Sequence, residues 1–374
     1  MAGELTFLEF FSGGGMARLG LGSRWRCLFA NDFDAAKRSA YVANFGPDHL
    51  HGGDIHALAP DILPASAVDL AWASSPCQDL SLAGARGGLA GERSGAFFGF
   101  WRLIEGLSAA GRKPRAIVVE NVAGLLTSNG GRDLASLVSL IARGGYFVSA
   151  IVLNASDFVP QSRPRLFVLG VDTDAAMSRK APMVDAAAPQ SLFNAVSLLS
   201  PAVRRRWRWI EARPLTARNC ALIDIIDEDA PVDAKAVTRA RLNAMAPHQR
   251  AAIKALAETG GRHVGAAFRR IRIESGVKQA RIEARFDGLA GCLRTPAGGS
   301  SRQIIFDIAD GAVRSRLMTP REAARAMGLS DDYILPPSAT AALKLVGDGV
   351  SPPVVSWLAE NAIEPALHRA QKAA

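Results

Sequence analysis

A thiol, a carboxyl group and two guanidiniums stand out: Cys77 in Ser75-Pro76-Cys77-Gln78, Glu120 in Glu120-Asn121-Val122, and Arg163 and Arg165 in Gln161-Ser162-Arg163-Pro164-Arg165. Cys77 follows an apolar run and precedes a stretch rich in glycine (Gly84, Gly87, Gly88, Gly91). A thiol at a strand end beside such a stretch is set to react instead of pack. Cysteine is a good nucleophile where cationic surroundings favour its thiolate, and Arg86, Arg93, Arg163 and Arg165 could supply that field. Glu120 ends another apolar run, where partial desolvation would raise its pKa and let it hold a proton near neutral pH. The plainer readings are an inert buried cysteine and a loop acid paired with an arginine. The four cysteines, Cys27, Cys77, Cys220 and Cys292, have no CxxC spacing. Neither a zinc site nor a disulfide framework is expected.

A second set of residues has the pattern of a nucleotide-type cofactor site. Phe11-Ser12-Gly13-Gly14-Gly15 lies between a predicted strand and a predicted helix, where glycines let a backbone approach a ligand closely. Asp32 ends the next strand, where a carboxylate can accept both hydroxyls of a ribose. Asp54, in Gly53-Asp54-Ile55, lies where a third strand would end and either caps a turn or accepts from an adenine amine. Nicotinamide cofactors use the same layout, so these residues alone leave the cofactor open.

The elements that must position these groups are short apolar runs alternating with helical stretches, the pattern of a parallel α/β sheet. Strands are predicted near 5–11, 26–30, 68–73, 116–119, 146–153 and 166–171, with a helix over 16–21. In open α/β sheets the ligand crevice lies outside the carboxyl ends of the strands. Gly13, Asp32, Cys77 and Glu120 are therefore expected to converge. From about 175 the pattern degrades. Residues 179–200 are rich in Ala, Pro and Ser like a linker, 204–213 is strongly basic, and 262–285 is rich in arginine. Trp207 and Trp209 read as packing residues. The loop Gly298-Gly299-Ser300-Ser301-Arg302-Gln303 comes next, then Thr319-Pro320-Arg321-Glu322, which has the form of a capped helix start. At 374 residues the chain should hold one large domain and a smaller one. A net charge of +9 suits a polyanionic partner. No apolar run approaches the ~18 residues of a membrane span, and the N-terminus lacks the features of a signal peptide, so a cytosolic protein is expected.

Taken in order, these motifs resemble those of the cytosine-5 DNA methyltransferases. The later Leu317-Met318-Thr319-Pro320-Arg321-Glu322, Ala326-Met327-Gly328 and Gly347-Asp348-Gly349-Val350 resemble the last two motifs of that family. The resemblance implies a bacterial-type, Rossmann-like α/β catalytic domain that uses S-adenosylmethionine. A smaller, irregular target-recognition domain would be inserted before the C-terminal helix, giving catalytic residues 1–178, recognition residues 179–313 and a returning segment 314–374. It further implies that Cys77 attacks carbon 6 of a flipped-out cytosine while Glu120 contacts ring nitrogen 3 and the exocyclic amine. Arg165 would bind the base's carbonyl oxygen, and Arg163 would support the loop and the DNA backbone. Phe11, Ser12, Gly13, Gly14, Gly15, Asp32, Phe33, Asp54, Ile55, Pro76, Asp348 and Val350 would form the cofactor site. Gln78, Ser81, Arg86 and Gly298, Gly299, Ser300, Ser301, Arg302 and Gln303 would contact duplex DNA, the last two suiting guanine and adenine edges.

A monomer in the nucleoid-associated cytoplasm, with a possible restriction endonuclease as counterpart, goes with this reading. Departures from the family pattern are Glu9 for the usual Asp, Met16 for a common glycine and Asp348 for the usual Asn. A related enzyme acting on transfer RNA, a nicotinamide-dependent dehydrogenase and a catalytically dead DNA-binding protein are the competing readings.

Overall fold

The computed structural model describes residues 4–76, 95–174, 177–211, 218–274, 277–295 and 302–373. The chain divides into two compact units. The first comprises Met1–Asn154, Pro164–Leu215 and Val350–Ala374. Its centre is a seven-stranded sheet of β1 (Leu5–Phe10), β2 (Trp25–Asp32), β3 (Leu50–Gly52), β4 (Leu70–Ser74), β5 (Ala116–Val122), β6 (Phe147–Asn154) and β7 (Pro164–Val171). The strand order is β3-β2-β1-β4-β5-β7-β6. The central strands β1, β4 and β5 are almost entirely buried, which is why they read as continuous apolar runs without alternation.

Strands β1 to β5 are parallel, as expected from the alternation. The last two are not: β7 runs antiparallel to both β5 and β6. The reason is the short link 155–163. A parallel pair needs a crossover of about a dozen residues or more, whereas an antiparallel return can be tight.

Helices α1 (Met16–Leu21), α2 (Ala35–Phe45), α3 (Ala96–Ala109) and α4 (Arg132–Arg143) make up much of the rest of the unit. Helix α2 starts where the Asp34 side chain accepts from the backbone N–H groups of Ala36 and Lys37, satisfying donors the helix itself leaves open. One continuous core takes in Phe10, Phe29, Phe97 and Phe100, with Phe10 edge-on to Phe100 at 5.2 Å. Complete burial of each such ring contributes roughly 1.5–3 kcal/mol. Residues 179–211 belong to this unit because Trp207 and Trp209 are buried in the same core, Trp209 stacking on Phe193 at 4.7 Å. The two tryptophans are packing residues, as their sequence context predicted. The helix Pro352–Leu358 lies against α1 so closely that a Cβ on Gly20 would meet Pro352 O and Val355 Cβ at 2.5 Å.

The second unit comprises Ala155–Arg163 and Thr216–Gly349. Within the region expected to be irregular it holds a regular four-stranded antiparallel sheet. Its strands are β8 (Arg262–Glu274), β9 (Val277–Arg285), β10 (Ile304–Ala309) and β11 (Ala312–Leu317), in the order β11-β10-β8-β9. Asp310 and Gly311 link β10 to β11 with φ of 51° and 72°, the left-handed pair that a two-residue hairpin turn requires. Ile253, Ile282, Phe306 and Ile308 form the core of this sheet. The predicted helix start is present: the Thr319 hydroxyl caps the Glu322 N–H, and the Glu322 carboxylate accepts the Thr319 N–H. Glu322 is fully buried and also paired with Arg316. Among the described residues no helix is long and apolar enough to cross a membrane.

Candidate active site

Strands β1 and β4 are neighbours, and from β1 the chain goes first to β2 and β3 before returning to β4 on the other side. This reversal is a topological switch point, where open sheets bind ligands at the strand carboxyl ends. Two of the predicted motifs start there, the glycine loop after β1 and Ser75-Pro76 after β4.

The glycine loop is held by the end of β2. The Asp32 carboxylate accepts from Gly13 N–H at 2.8 Å with Oδ2 and from Asp34 N–H at 2.8 Å with Oδ1. Asp32 therefore fixes the loop directly, and its buried position at the mouth keeps the remaining lone pairs in the same place. The glycines serve different ends. At Gly13 (φ 56°) an added Cβ would meet nothing within 4 Å, so the conformation and the open space above it are the requirement. At Gly15 a Cβ would lie 2.4 Å from the Phe45 ring, so that glycine serves the protein's own packing. Phe11 adopts φ 57°, a conformation uncommon outside glycine, and packs on the core. The Ser12 hydroxyl is buried with no hydrogen-bond partner among the described residues.

The other residues expected at the cofactor are spread over several settings. Phe33 is 75% exposed beside Asp32, whereas Ile55 is buried. Asp54 caps its own turn, accepting from His56 N–H at 2.9 Å. Asn31, for which the sequence offered no role, ties β2 to β3 by donating to the carbonyls of His51 and Gly53. Val350 is buried in the first unit. Asp348 is exposed in the second unit, where it accepts a hydrogen bond from the Thr295 hydroxyl.

Directly beneath the loop, Glu9 is 1% exposed. Its Oε1 accepts from Arg18 N–H at 3.3 Å, and its Oε2 is buried with no partner among the described residues. Burial pushes its pKa up to about 8, against the opposing pull of the Arg18 backbone N–H and charge, with Asp32 adding to the rise. The unfolded chain would release this proton near 4.5. Between those values the native state keeps a proton that the unfolded state has lost, so stability falls as pH rises through the window, by about 1.4 kcal/mol per pH unit. Glu9→Gln should remove that slope while keeping the volume. Urea midpoints at mildly acidic and mildly alkaline pH test this, and equal slopes in both proteins would refute it.

At the ends of β4 and β5 the polar groups are joined. Glu120 Oε1 and Arg165 Nε are 3.1 Å apart, both largely buried. Strand pairing brings the two within diagonal reach on one face of the sheet, because Glu120 is opposite Phe167 and Val122 opposite Arg165 on antiparallel β7. Asn121, next to Glu120, is a functional residue that the sequence did not reveal. Its Nδ2 donates to Ser75 O at 3.0 Å, and its Oδ1 accepts from Val122 N–H. The clamp fixes the backbone just before Pro76. Its signal is only an amide following the acid, and only the parallel register of β4 with β5 reveals its target. Pro76 is exposed at the strand end, and Cys77, Gln78, Ser81 and Arg86 lie outside the described residues.

The remaining candidates belong to the second unit. Arg163 is 2% exposed and donates to the carbonyls of Leu293, Gly347 and Gly349 at 2.7–2.9 Å. A guanidinium buried on main-chain carbonyls positions loops, which is the loop-supporting part of the role expected for it. Arg163→Ala would leave three acceptors without their donor, at about 1–3 kcal/mol for each that stays buried. A loss of at least ~3 kcal/mol in urea unfolding is expected, and a change under ~1 kcal/mol would contradict this role.

Gln303 is likewise turned inward. It is 3% exposed, and its amide oxygen accepts from Gly291 N–H at 3.2 Å. Arg302 is half-buried and donates to Met318 O. Gly298, Gly299, Ser300 and Ser301 lie outside the described residues.

Comparison with known proteins accounts for this arrangement. Residues 5–364 match the family described as C-5 cytosine-specific DNA methylase. The Type II methyltransferase M.HpaII of Haemophilus parainfluenzae is 25% identical over 378 residues, 96% of this chain and 90% of that protein. The Type II methyltransferase M.DsaV of Dactylococcopsis salina is 34% identical over 171 residues, 45% of this chain and 46% of its own length. Two solved structures share the fold. The S. pombe Dnmt2 methyltransferase has a TM-score of 0.58 at 17% identity, covering 96% of this chain and 99% of that one. A Spodoptera frugiperda DNMT2 mutant has a TM-score of 0.61 at 18% identity, covering 97% and 99%. With the family match running from β1 to the C-terminal helices, the chain belongs to the C-5 cytosine-specific DNA methylases and is a DNA cytosine methyltransferase.

Proposed function

We propose that this enzyme methylates carbon 5 of one cytosine within a specific duplex DNA sequence, with Cys77 as covalent nucleophile on a flipped-out base and S-adenosylmethionine as cofactor. The observation that carries the reading is the buried Glu120–Arg165 pair beside the Asn121–Ser75 clamp, where the strand running to Cys77 ends. A thiol must approach a pyrimidine from above the ring plane, which a stacked duplex forbids. The base must leave the helix at a cost of a few kcal/mol.

Addition of the Cys77 thiolate to carbon 6 pushes electrons toward ring nitrogen 3. Glu120 stabilises that build-up by hydrogen-bonding nitrogen 3 and the exocyclic amine, and Arg165 holds the carbonyl oxygen and orients Glu120. Carbon 5 then becomes enamine-like and nucleophilic. After methylation, loss of the carbon 5 proton and expulsion of Cys77 restore aromaticity.

The residues at the switch point fit the cofactor. Gly13 leaves open space where a Cβ would sit, Ser12 has a buried hydroxyl with no partner among the described residues, and Asp32 keeps lone pairs for a ribose. When bound, S-adenosylmethionine supplies an electrophilic methyl group. Phe11, Phe33 and Ile55 would enclose the adenine, Asp54 would take its amine, and Gly14, Gly15, Pro76 and Val350 would complete the site within the first unit.

Target recognition falls to the basic region 179–313, of which 216–313 lies in the second unit. Gly298 to Ser301 with Arg302 are the groove candidates, and Gln78, Ser81 and Arg86 contact DNA around the flipped base. The enzyme acts as a monomer on bacterial cytoplasmic DNA, with a restriction endonuclease as counterpart. Labelled S-adenosylmethionine offered with duplex DNA or transfer RNA tests the assignment. Duplex DNA should accept the label, and a preference for transfer RNA would overturn the reading.

A further inference from the structure

Strand β8 is longer than its neighbour β10 can cover. Among the described residues, Arg262–Ala267 pair with β10, whereas β8 continues to Glu274 with β9 alone beside it. Beyond Ala267 the two strands form a free ribbon that extends roughly 20 Å at about 3.4 Å per residue. Ser275 and Gly276 lie outside the described residues.

The ribbon has two unlike faces, set by the cross-strand register. One continues the core side of the sheet: Ile271 is opposite Ala280 and Ile273 opposite Lys278. Both isoleucines are 71% exposed among the described residues, an unusual cost for apolar side chains. The other face carries Arg270 opposite Arg281 and Arg272 opposite Gln279. Like charges directly opposite one another destabilise a ribbon. Glu283 offsets part of this by pairing with the Nε of both Arg270 and Arg272, yet their side chains stay 49% and 50% exposed. From 268 to 283 the sequence carries the cations Arg269, Arg270, Arg272, Lys278 and Arg281 against the acids Glu274 and Glu283.

We infer that this ribbon is a second duplex-DNA contact, separate from the glycine-serine loop, whose cations bind phosphates while Ile271 and Ile273 cover sugar and thymine-methyl surface. The inference rests on the proposed DNA substrate. A two-stranded ribbon is of a size that the major groove admits. Charge selects the occupant: a second copy of this chain would bring cationic ribbons together, whereas a polyanion matches the excess of cations over acids.

The test is the salt dependence of duplex binding by the full-length protein. Combined Arg269→Gln, Arg272→Gln and Lys278→Gln should weaken binding roughly tenfold or more and flatten the slope of log K against log salt by about 0.9 per lost contact. Affinity for S-adenosylhomocysteine and the thermal midpoint should not move, since these side chains lie on an exposed ribbon. Gln279→Lys, which adds a cation to the arginine face, should steepen the slope and does not depend on the triple variant folding.

Unchanged affinity and slope in both variants, with wild-type protein binding duplex DNA normally, would overturn the ribbon and leave the substrate assignment standing. Failure of wild-type protein to bind duplex DNA at any salt would overturn both. A wild-type dimer that the triple variant loses, with DNA binding intact, would make the ribbon a self-association face and overturn the inference.

Discussion

Cys77→Ala should abolish methyl transfer, by roughly 10⁴-fold or more, while S-adenosylhomocysteine still binds. The two effects separate because the proposed cofactor contacts come mainly from the ends of β1 and β2, whereas the thiol follows β4. The same variant should form no covalent adduct with DNA containing 5-fluorocytosine. In that analogue a fluorine replaces the proton that must leave carbon 5, so the wild-type enzyme should remain attached and migrate as a protein–DNA species in a denaturing gel. An adduct that persists in Cys77→Ala would assign the nucleophile elsewhere. Cys27 could not take over, since burial pushes its thiol up to about 12 and leaves almost no thiolate at neutral pH.

Glu120→Gln is the second large effect. The substitution preserves size and leaves an acceptor facing Arg165 Nε, so folding should be little disturbed. It exchanges a carboxyl group for an amide that cannot hold or release a proton at ring nitrogen 3. Loss of a positioned acid–base group costs about 10²–10⁴ in rate. The drop should appear in kcat, with duplex affinity within a few-fold of wild type. Equal losses in affinity and turnover would make Glu120 a binding group only. Arg165→Lys should reproduce part of the loss, because an ammonium cannot keep the side-on contact that Nε makes with Oε1.

Arg163 and Gln303 show how little side-chain type alone says in loops. Arg163 and Arg165 are two positions apart and both cationic, so side-chain type does not separate them, and only the family resemblance gave them different roles. The fold separates them: Arg165 is on β7 in register with the end of β5, and Arg163 is in the second unit among main-chain carbonyls. Gln303 looked suited to an adenine edge, yet it immediately precedes β10 with its amide turned inward to Gly291. Whether a polar side chain satisfies the protein or its ligand depends on what is packed beside it, and sequence spacing does not report that.

What the sequence by itself determined was the order of the strands' apolar runs and the reactive groups at their ends. These are local properties. A buried parallel strand must be continuously apolar, a tight loop must carry glycine, and a helix start favours Thr-Pro with a following Glu. Cys77 and Glu120 could be nominated from that pattern before any contact was known.

The tertiary structure alone decided three further matters. It turned β7 antiparallel, which brings Arg165 onto Glu120. It aimed Asn121 at Ser75. It ordered an arginine-rich stretch into a sheet whose ribbon runs beyond its core. Each depends on pairing between residues far apart in the chain, set by which strands find each other and in what register. No local pattern of residue types carries that information.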